Sequence, residues 1–120
     1  VFENRIIAKG YNQVETLRDP TAHAEIIAIT SAASYLSSKV LLGCSMYVTL
    51  EPCSMCAGAI VLAKIENLFF GAFDNKSGAC GSVLNITNNK LLNQNLSVSG
   101  GILDAECAGI LKSFFEAKRE

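Results

Sequence analysis

Between Ser45 and Phe73 the chain reads SMYVTLEPCSMCAGAIVLAKIENLFFGAF. The two ends of this stretch, SMYVTL and NLFFGAF, are short continuous apolar runs, and the segment from near Cys53 to Lys64 between them suits a helix. No other feature restricts the fold as far. A run in which polar and apolar residues do not alternate marks a strand buried on both faces, the habit of a parallel sheet with helices laid over it.

The rest of the chain extends that unit in both directions. VFENRIIAKGYN suits the end of one strand, a tight turn at Glu3 and Asn4, and a second strand through Ile6 to Lys9, the pairing of a hairpin. From Ala22 to about Ser38 the residues are apolar almost all the way round a helical wheel, which predicts a helix buried against the sheet on one side and something else on the other. Past Phe73, DNKSGACGSVLNITNNKLLNQN is rich in Gly, Asn and Ser. It predicts a long irregular connection, of the sort that carries function more often than packing. LSVSGGI is a weak strand, and Asp104 then suits the N-cap of a last helix with Ala108, Leu111 and Phe115 on one face. Strands alternating with helices predict an α/β layered domain with a mostly parallel sheet, to which the hairpin adds an antiparallel pair. With 120 residues, half of them hydrophobic, one domain spanning 1–120 is expected.

Charge and cysteine content narrow the function classes. Ten Lys and Arg stand against eleven Asp and Glu, so the chain lacks the basic excess that grips nucleic acid over a broad face, and any such contact has to be local. Five cysteines, an odd number, follow no charged-then-apolar leader. That argues against a secreted disulfide scaffold and for a reducing compartment, with the cytoplasm as the expected location. The apolar stretches are broken by charges well short of the roughly 20 residues that a bilayer crossing needs, so no membrane span is expected.

Two short motifs hold the candidate chemistry. DPTAHAEI carries the only histidine, His23, with Glu25 two positions on in an otherwise apolar run. Taken alone, such a histidine is more often a hydrogen-bonded core residue than a ligand. In TLEPCSMCAGAI, Cys53 and Cys56 can turn their sulfurs toward one point in the first turn of a helix, where free amides and the helix dipole favour thiolate over thiol. Three uses fit that pair: a redox couple, half of a closed structural zinc site, or two of three ligands in an open one. A closed site needs two further good ligands, and His23, Cys44, Cys80 and Cys107 are not paired at ligand spacing. Cys44, Cys80 and Cys107 suit ordinary buried or surface thiols. His23, Cys53 and Cys56 are left as three ligands of Zn2+, with the fourth position for water, the pattern of a catalytic site.

Glu25 gains a role in that arrangement. Residues two apart on a helix point about 200 degrees from each other, so His23 and Glu25 reach one site only at a helix entrance. Pro20 cannot continue a preceding helix, and Asp19 or Thr21 could cap the new one. Water activated by such an ion loses its proton near neutral pH, and Glu25, beside the ion and not bound to it, can accept that proton and pass it on.

A His-x-Glu followed by Pro-Cys-x-x-Cys is the signature of zinc-dependent nucleobase deaminases. Beyond the two motifs, DPTAHAEI, YVTLEPCSMCAGAI, GAFDNKSGACGS and GGILDAECAGILKSFF resemble, in order and spacing and over nearly the whole chain, the blocks of the tRNA-specific adenosine deaminase (TadA) family in the cytidine deaminase-like superfamily. Free-guanine deaminases resemble the first two blocks as well, and the last two favour the tRNA family.

The resemblance implies a three-layer α/β/α fold with a five-stranded mixed sheet, a homodimer, Zn2+ as cofactor, and hydrolysis of adenosine to inosine at the wobble position of a tRNA anticodon. By matched position, His23, Cys53 and Cys56 would bind the metal and Glu25 would shuttle protons. Asn12 and the backbone at Ala24 would read the purine, while Asp74, Lys76 and Phe115 would cradle the anticodon loop. Plainer uses stand beside these: helix packing for Phe115 and a solvated loop charge for Lys76. Two alternatives remain for the whole chain: a zinc deaminase of a free base or nucleoside such as guanine or cytidine, or a non-catalytic zinc-stabilised binding module in which Glu25 is only a helix-start carboxylate. The family commonly begins with a helix and a Gly-containing apolar strand ahead of the hairpin, whereas this chain opens at Val1 inside that strand, so the resemblance places the N-terminal helix outside these residues. Asn93 and Gln94 stand where the family has Asn-His, and Phe73 where a charge is common.

Overall fold

The computed structural model describes residues 1–93 and 95–118. In chain order its elements are α1 (Val14–Leu17), α2 (Ala24–Leu36), β1 (Ser45–Leu50), α3 (Ser54–Leu62), β2 (Asn67–Ala72), β3 (Ser97–Ser99) and α4 (Asp104–Lys118). The strands form a parallel sheet in the order β1-β2-β3. β1, α3 and β2 are the strand, helix and strand expected between Ser45 and Phe73, with Ser45 opposite Asn67 and Leu50 opposite Ala72.

Alternation along β2 decides which helix covers which face. Leu68, Phe70 and Ala72 point to one side and are buried. There Leu68 and Phe70 meet Ala57 and Ile60 of α3 and Ala32 of α2 in one hydrophobic cluster. On the other side a Cβ at Gly71 would lie 2.3 Å from Cys107 Sγ and 2.8 Å from the Thr49 carbonyl oxygen. Only glycine leaves that much room, so α4 docks with Cys107 directly on the strand. Helices on both faces give the three-layer α/β/α arrangement. Among the described residues no helix is long and apolar enough to cross a membrane.

Several elements depart from expectation. Among the described residues three regular strands appear where five were expected. The turn at Glu3 and Asn4 forms, with φ of 49° and 64°, and Phe2 and Arg5 exchange both backbone hydrogen bonds across it. That is the geometry of a tight hairpin turn. Ile6 to Lys9 does not continue as a strand, because a ladder needs a neighbour and the described residues put none beside it; Phe2 makes isolated bridges to Arg5 and Cys44 instead. β1 is not buried on both faces: Tyr47 is 64 % exposed, stacked on Phe69 with ring centroids 4.8 Å apart. The all-round burial expected of α2 is also incomplete, since Thr30, Ser31, Ser34 and Tyr35 face outward.

The last helix differs in its inward face. Cys107 and Leu111, four residues apart, are its half-buried positions, whereas Ala108 and Phe115 are exposed. Asp104 is the first helical residue, and the preceding Leu103 carbonyl accepts the first helix bond, from Cys107. The connection after Phe73 is irregular as expected, and Gln94 lies outside the described residues.

Candidate active site

Two helix starts meet. His23 is the N-cap of α2 and Cys53 the N-cap of α3, both in extended backbone, and neither side chain caps its own helix. The His23 Nδ1 lies 3.6 Å from the Sγ of Cys53 and 3.6 Å from the Sγ of Cys56. All three candidate ligand atoms fall within 4.8 Å of one another. Such a cluster can hold one divalent metal ion.

Local sequence sets up each half. The Asp19 carboxylate accepts from the Thr21 amide at 2.8 Å and its hydroxyl at 2.7 Å, which folds residues 19–22 into a turn. The Ala22 carbonyl accepts from the Gln13 amide at 2.9 Å, tying that turn back to the start of α1. So Asp19 and Thr21, expected as caps, shape the approach to α2 instead. On the other half, the Cys53 carbonyl accepts the first bond of α3 from the Ala57 amide at 2.8 Å.

Glu25 sits in the first turn of α2. Burial pushes the Cys56 thiol up from its ordinary value, and the charge of the nearby Glu25 carboxylate adds to this. Glu25 therefore lies within reach of the ligand cluster. With Ala24 it also lines a cavity of ≈ 490 Å3 between α2, β1 and residues 6–10. His23, Cys53 and Cys56 do not line that cavity, which is a groove along β1 rather than a chamber around the ligands.

Of the remaining expected site residues, Asn12, Lys76 and Phe115 are exposed and Asp74 is half-buried. Asn12 is exposed, and its Oδ1 accepts from the Val14 amide at 2.9 Å. Asp74 turns its carboxylate inward on its own loop, accepting from the amides of Lys76 and Ser77 at 3.0 and 3.1 Å and from the Ser77 hydroxyl at 2.9 Å. Burial alone would raise its pKa, but these bonds and the nearby Lys76 charge hold it below the usual carboxylate value. The Lys76 side chain is exposed, and Phe115 is 53 % exposed beside Phe114. Cys44 and Cys80 are buried thiols and Cys107 is half-buried.

One residue at the site escaped notice in the sequence. Glu51, two positions before Cys53, is only 2 % exposed. One carboxylate oxygen accepts from the Asp74 amide at 3.0 Å and from the Ser82 hydroxyl. The other accepts from the amides of Cys80 at 3.0 Å and Ser82 at 3.1 Å. Burial by itself would raise this group's pKa, yet the four bonds keep it lowered. An acid closing an apolar run just before Pro-Cys was the available signal, the same kind of oddity that drew attention to Glu25.

The profile of the MafB19-like deaminases matches residues 1–119. A curated relative, the tRNA-specific adenosine deaminase of Bacillus subtilis (strain 168), is 42 % identical over 120 residues, covering 100 % of this chain and 74 % of the relative. The chain belongs to the tRNA-specific adenosine deaminase family. A solved structure from studies of A-to-I editing by tRNA:A34 deaminases at the wobble position of transfer RNA agrees with the fold of this family member. It has a TM-score of 0.86 at 41 % identity and covers 92 % of this chain and 80 % of that one. The guanine deaminase of Bacillus subtilis is also similar, with a TM-score of 0.62 at 41 % identity, over 68 % of this chain and 52 % of that one.

Proposed function

We propose that this family member is a zinc-dependent hydrolase that converts adenosine to inosine at the wobble position of tRNA anticodons. The meeting of His23, Cys53 and Cys56 at two helix starts carries the chemical part of this reading. Zn–S bonds of about 2.3 Å and Zn–N bonds of about 2.0–2.1 Å at tetrahedral angles require about 3.6 Å between nitrogen and sulfur. Both nitrogen–sulfur separations here are 3.6 Å. One imidazole and two thiolates fit Zn2+ in kind, and three protein ligands leave one position open. Zinc, when bound, supplies a nucleophile from water at neutral pH.

Glu25 moves the protons. It would take one proton from the attacking water and deliver it to the ring nitrogen beside the amine-bearing carbon, then take the second from the added hydroxyl and hand it to the amine, which leaves as ammonia. Its place in the first turn of α2 keeps it next to the ligands without joining them. A base inside a duplex cannot reach such a cluster, so the target is flipped from a loop, where unstacking costs a few kcal/mol at most.

The surface residues divide the work on RNA. Asn12 accepts from Val14 with its oxygen, which leaves its two N–H groups for a base edge. The backbone at Ala24 lies beside Glu25 at the start of α2 and completes the purine contact. Asp74, itself an anion, contributes by shaping the loop that presents Lys76, and the exposed Lys76 ammonium meets a phosphate. Phe115 offers a ring for a base to stack on, a contact worth about 1–3 kcal/mol. The protein acts as a homodimer in the cytoplasm.

Incubating the zinc-loaded protein with an anticodon stem-loop, free nucleosides and free guanine tests the substrate class. Inosine formed in the stem-loop alone is the expected result. Turnover of free guanine instead would favour the second reading, which the likeness to the guanine deaminase supports.

A further inference from the structure

Glu51 is bound by none of the roles above, yet it ties two parts of the site together. The segment Asp74–Ser82 carries Asp74 and Lys76 at one end and runs back past the ligand Cys53, which bridges Gly78 in antiparallel fashion. The Ala79 amide donates to the Pro52 carbonyl at 2.9 Å. The Glu51 carboxylate sits inside this segment and takes up its amides at both ends, Asp74 at one and Cys80 and Ser82 at the other. Closure is tight: a Cβ at Gly78 would lie 2.4 Å from the Glu51 carboxyl carbon. A chain with this many Gly, Asn and Ser residues has little apolar surface of its own to order it.

We propose that Glu51 is a positioning residue: its buried carboxylate holds Asp74–Ser82 as a preformed wall beside Cys53, so that an RNA loop meets an ordered surface instead of having to order one. This rests on the proposed function, since it is that substrate whose binding would otherwise carry the ordering cost. Glu51 touches neither the ligands nor the substrate, and acts through the amides it accepts from.

Glu51→Gln separates this from a generic packing role. An amide nitrogen cannot accept, so one pair of donors is orphaned, and the Ser82 hydroxyl can reverse its bond while the Asp74 amide cannot. The expected result is a KM for the anticodon stem-loop raised about tenfold with kcat within about threefold of wild type. Zinc content should be unchanged. Hydrogen exchange should quicken at the amides of Asp74, Cys80 and Ser82 and stay slow in β1 and β2. Ser82→Ala, which removes one donor and leaves the charge in place, should give the same split at smaller amplitude and serves if Glu51→Gln does not fold. Wild-type KM in folded variants, a loss confined to kcat, or exchange that quickens throughout the sheet would each overturn the proposal. Wild-type protein that forms no inosine in the stem-loop would sink the substrate reading instead, and the exchange comparison alone would then decide whether Glu51 holds the segment.

Discussion

His23 and Cys53 occupy the same position, the N-cap, in two different helices, and the Nδ1 of one lies 3.6 Å from the Sγ of the other. Helices usually begin with Ser, Thr, Asp or Asn, whose side chains accept from the first free amides. Here both caps give up that duty to face each other. Local helix stability has been yielded to the site, and the first prediction follows.

Cys53→Ser should abolish stoichiometric zinc binding and deaminase activity while leaving the metal-free protein no less stable. Serine is a preferred N-cap, and the exchange can stabilise α3 by up to about 1 kcal/mol. Metal analysis by mass spectrometry and urea unfolding in the presence of a chelator measure the two effects separately. A metal-free variant clearly weaker than metal-free wild type would show that Cys53 supports the helix in some other way.

Glu25→Gln should retain the metal and lower kcat on an anticodon stem-loop by about 10²–10⁴-fold, the usual contribution of a positioned acid–base group. Steady-state kinetics on the zinc-loaded variant provides the number. Unchanged kcat would identify Glu25 as only a helix-start carboxylate.

The pH dependence of stability should carry the mark of Glu51. Its folded pKa is lowered from 4.5, so the unfolded chain holds this proton more tightly. The stability it contributes is therefore complete above the unfolded value and fades as pH falls through the folded one. Wild type should exceed Glu51→Gln by about 1–3 kcal/mol at neutral pH, the cost of orphaning buried amides. The gap should shrink in acid. Urea titrations of both proteins from pH 7 down to the lowest pH at which they stay folded give the comparison, and a gap that widens in acid would contradict the sign.

Gly71→Ala should loosen α4 from the sheet. The added methyl group meets Cys107 Sγ at 2.3 Å and the Thr49 carbonyl at 2.8 Å, and overpacking of this kind costs about 1–3 kcal/mol. Adding Cys107→Ala should return part of that loss but not all, because the Thr49 contact is backbone. Thermal unfolding of the single and double variants tests it; full additivity would mean that the two residues do not meet.

The β1, α3 and β2 unit was legible because its signals are local: continuous apolar runs for the strands and a Pro-Cys start for the helix. The metal cluster was legible for a different reason, since one histidine and a close cysteine pair leave few combinations. What failed depended on neighbours. Ile6 to Lys9 has the composition of a strand, but a ladder is a property of two segments. The inward face of α4 was set by Gly71, on another element, which admits Cys107 where Ala108 and Phe115 had been expected to pack. Glu51 escaped because three of its four donors are backbone amides 23 to 31 residues away, and amides leave no trace in side-chain pattern.

The sulfur and nitrogen of the cluster stand 30 residues apart along the chain. A cation held between them would be a reversible cross-link, and closing a loop of that size removes about 3–4 kcal/mol of chain entropy from the unfolded state in the simplest account. Chelation would then do more than silence the enzyme: it would unfasten the staple that joins the early part of the chain to its middle, and refolding would have to find that closure without help.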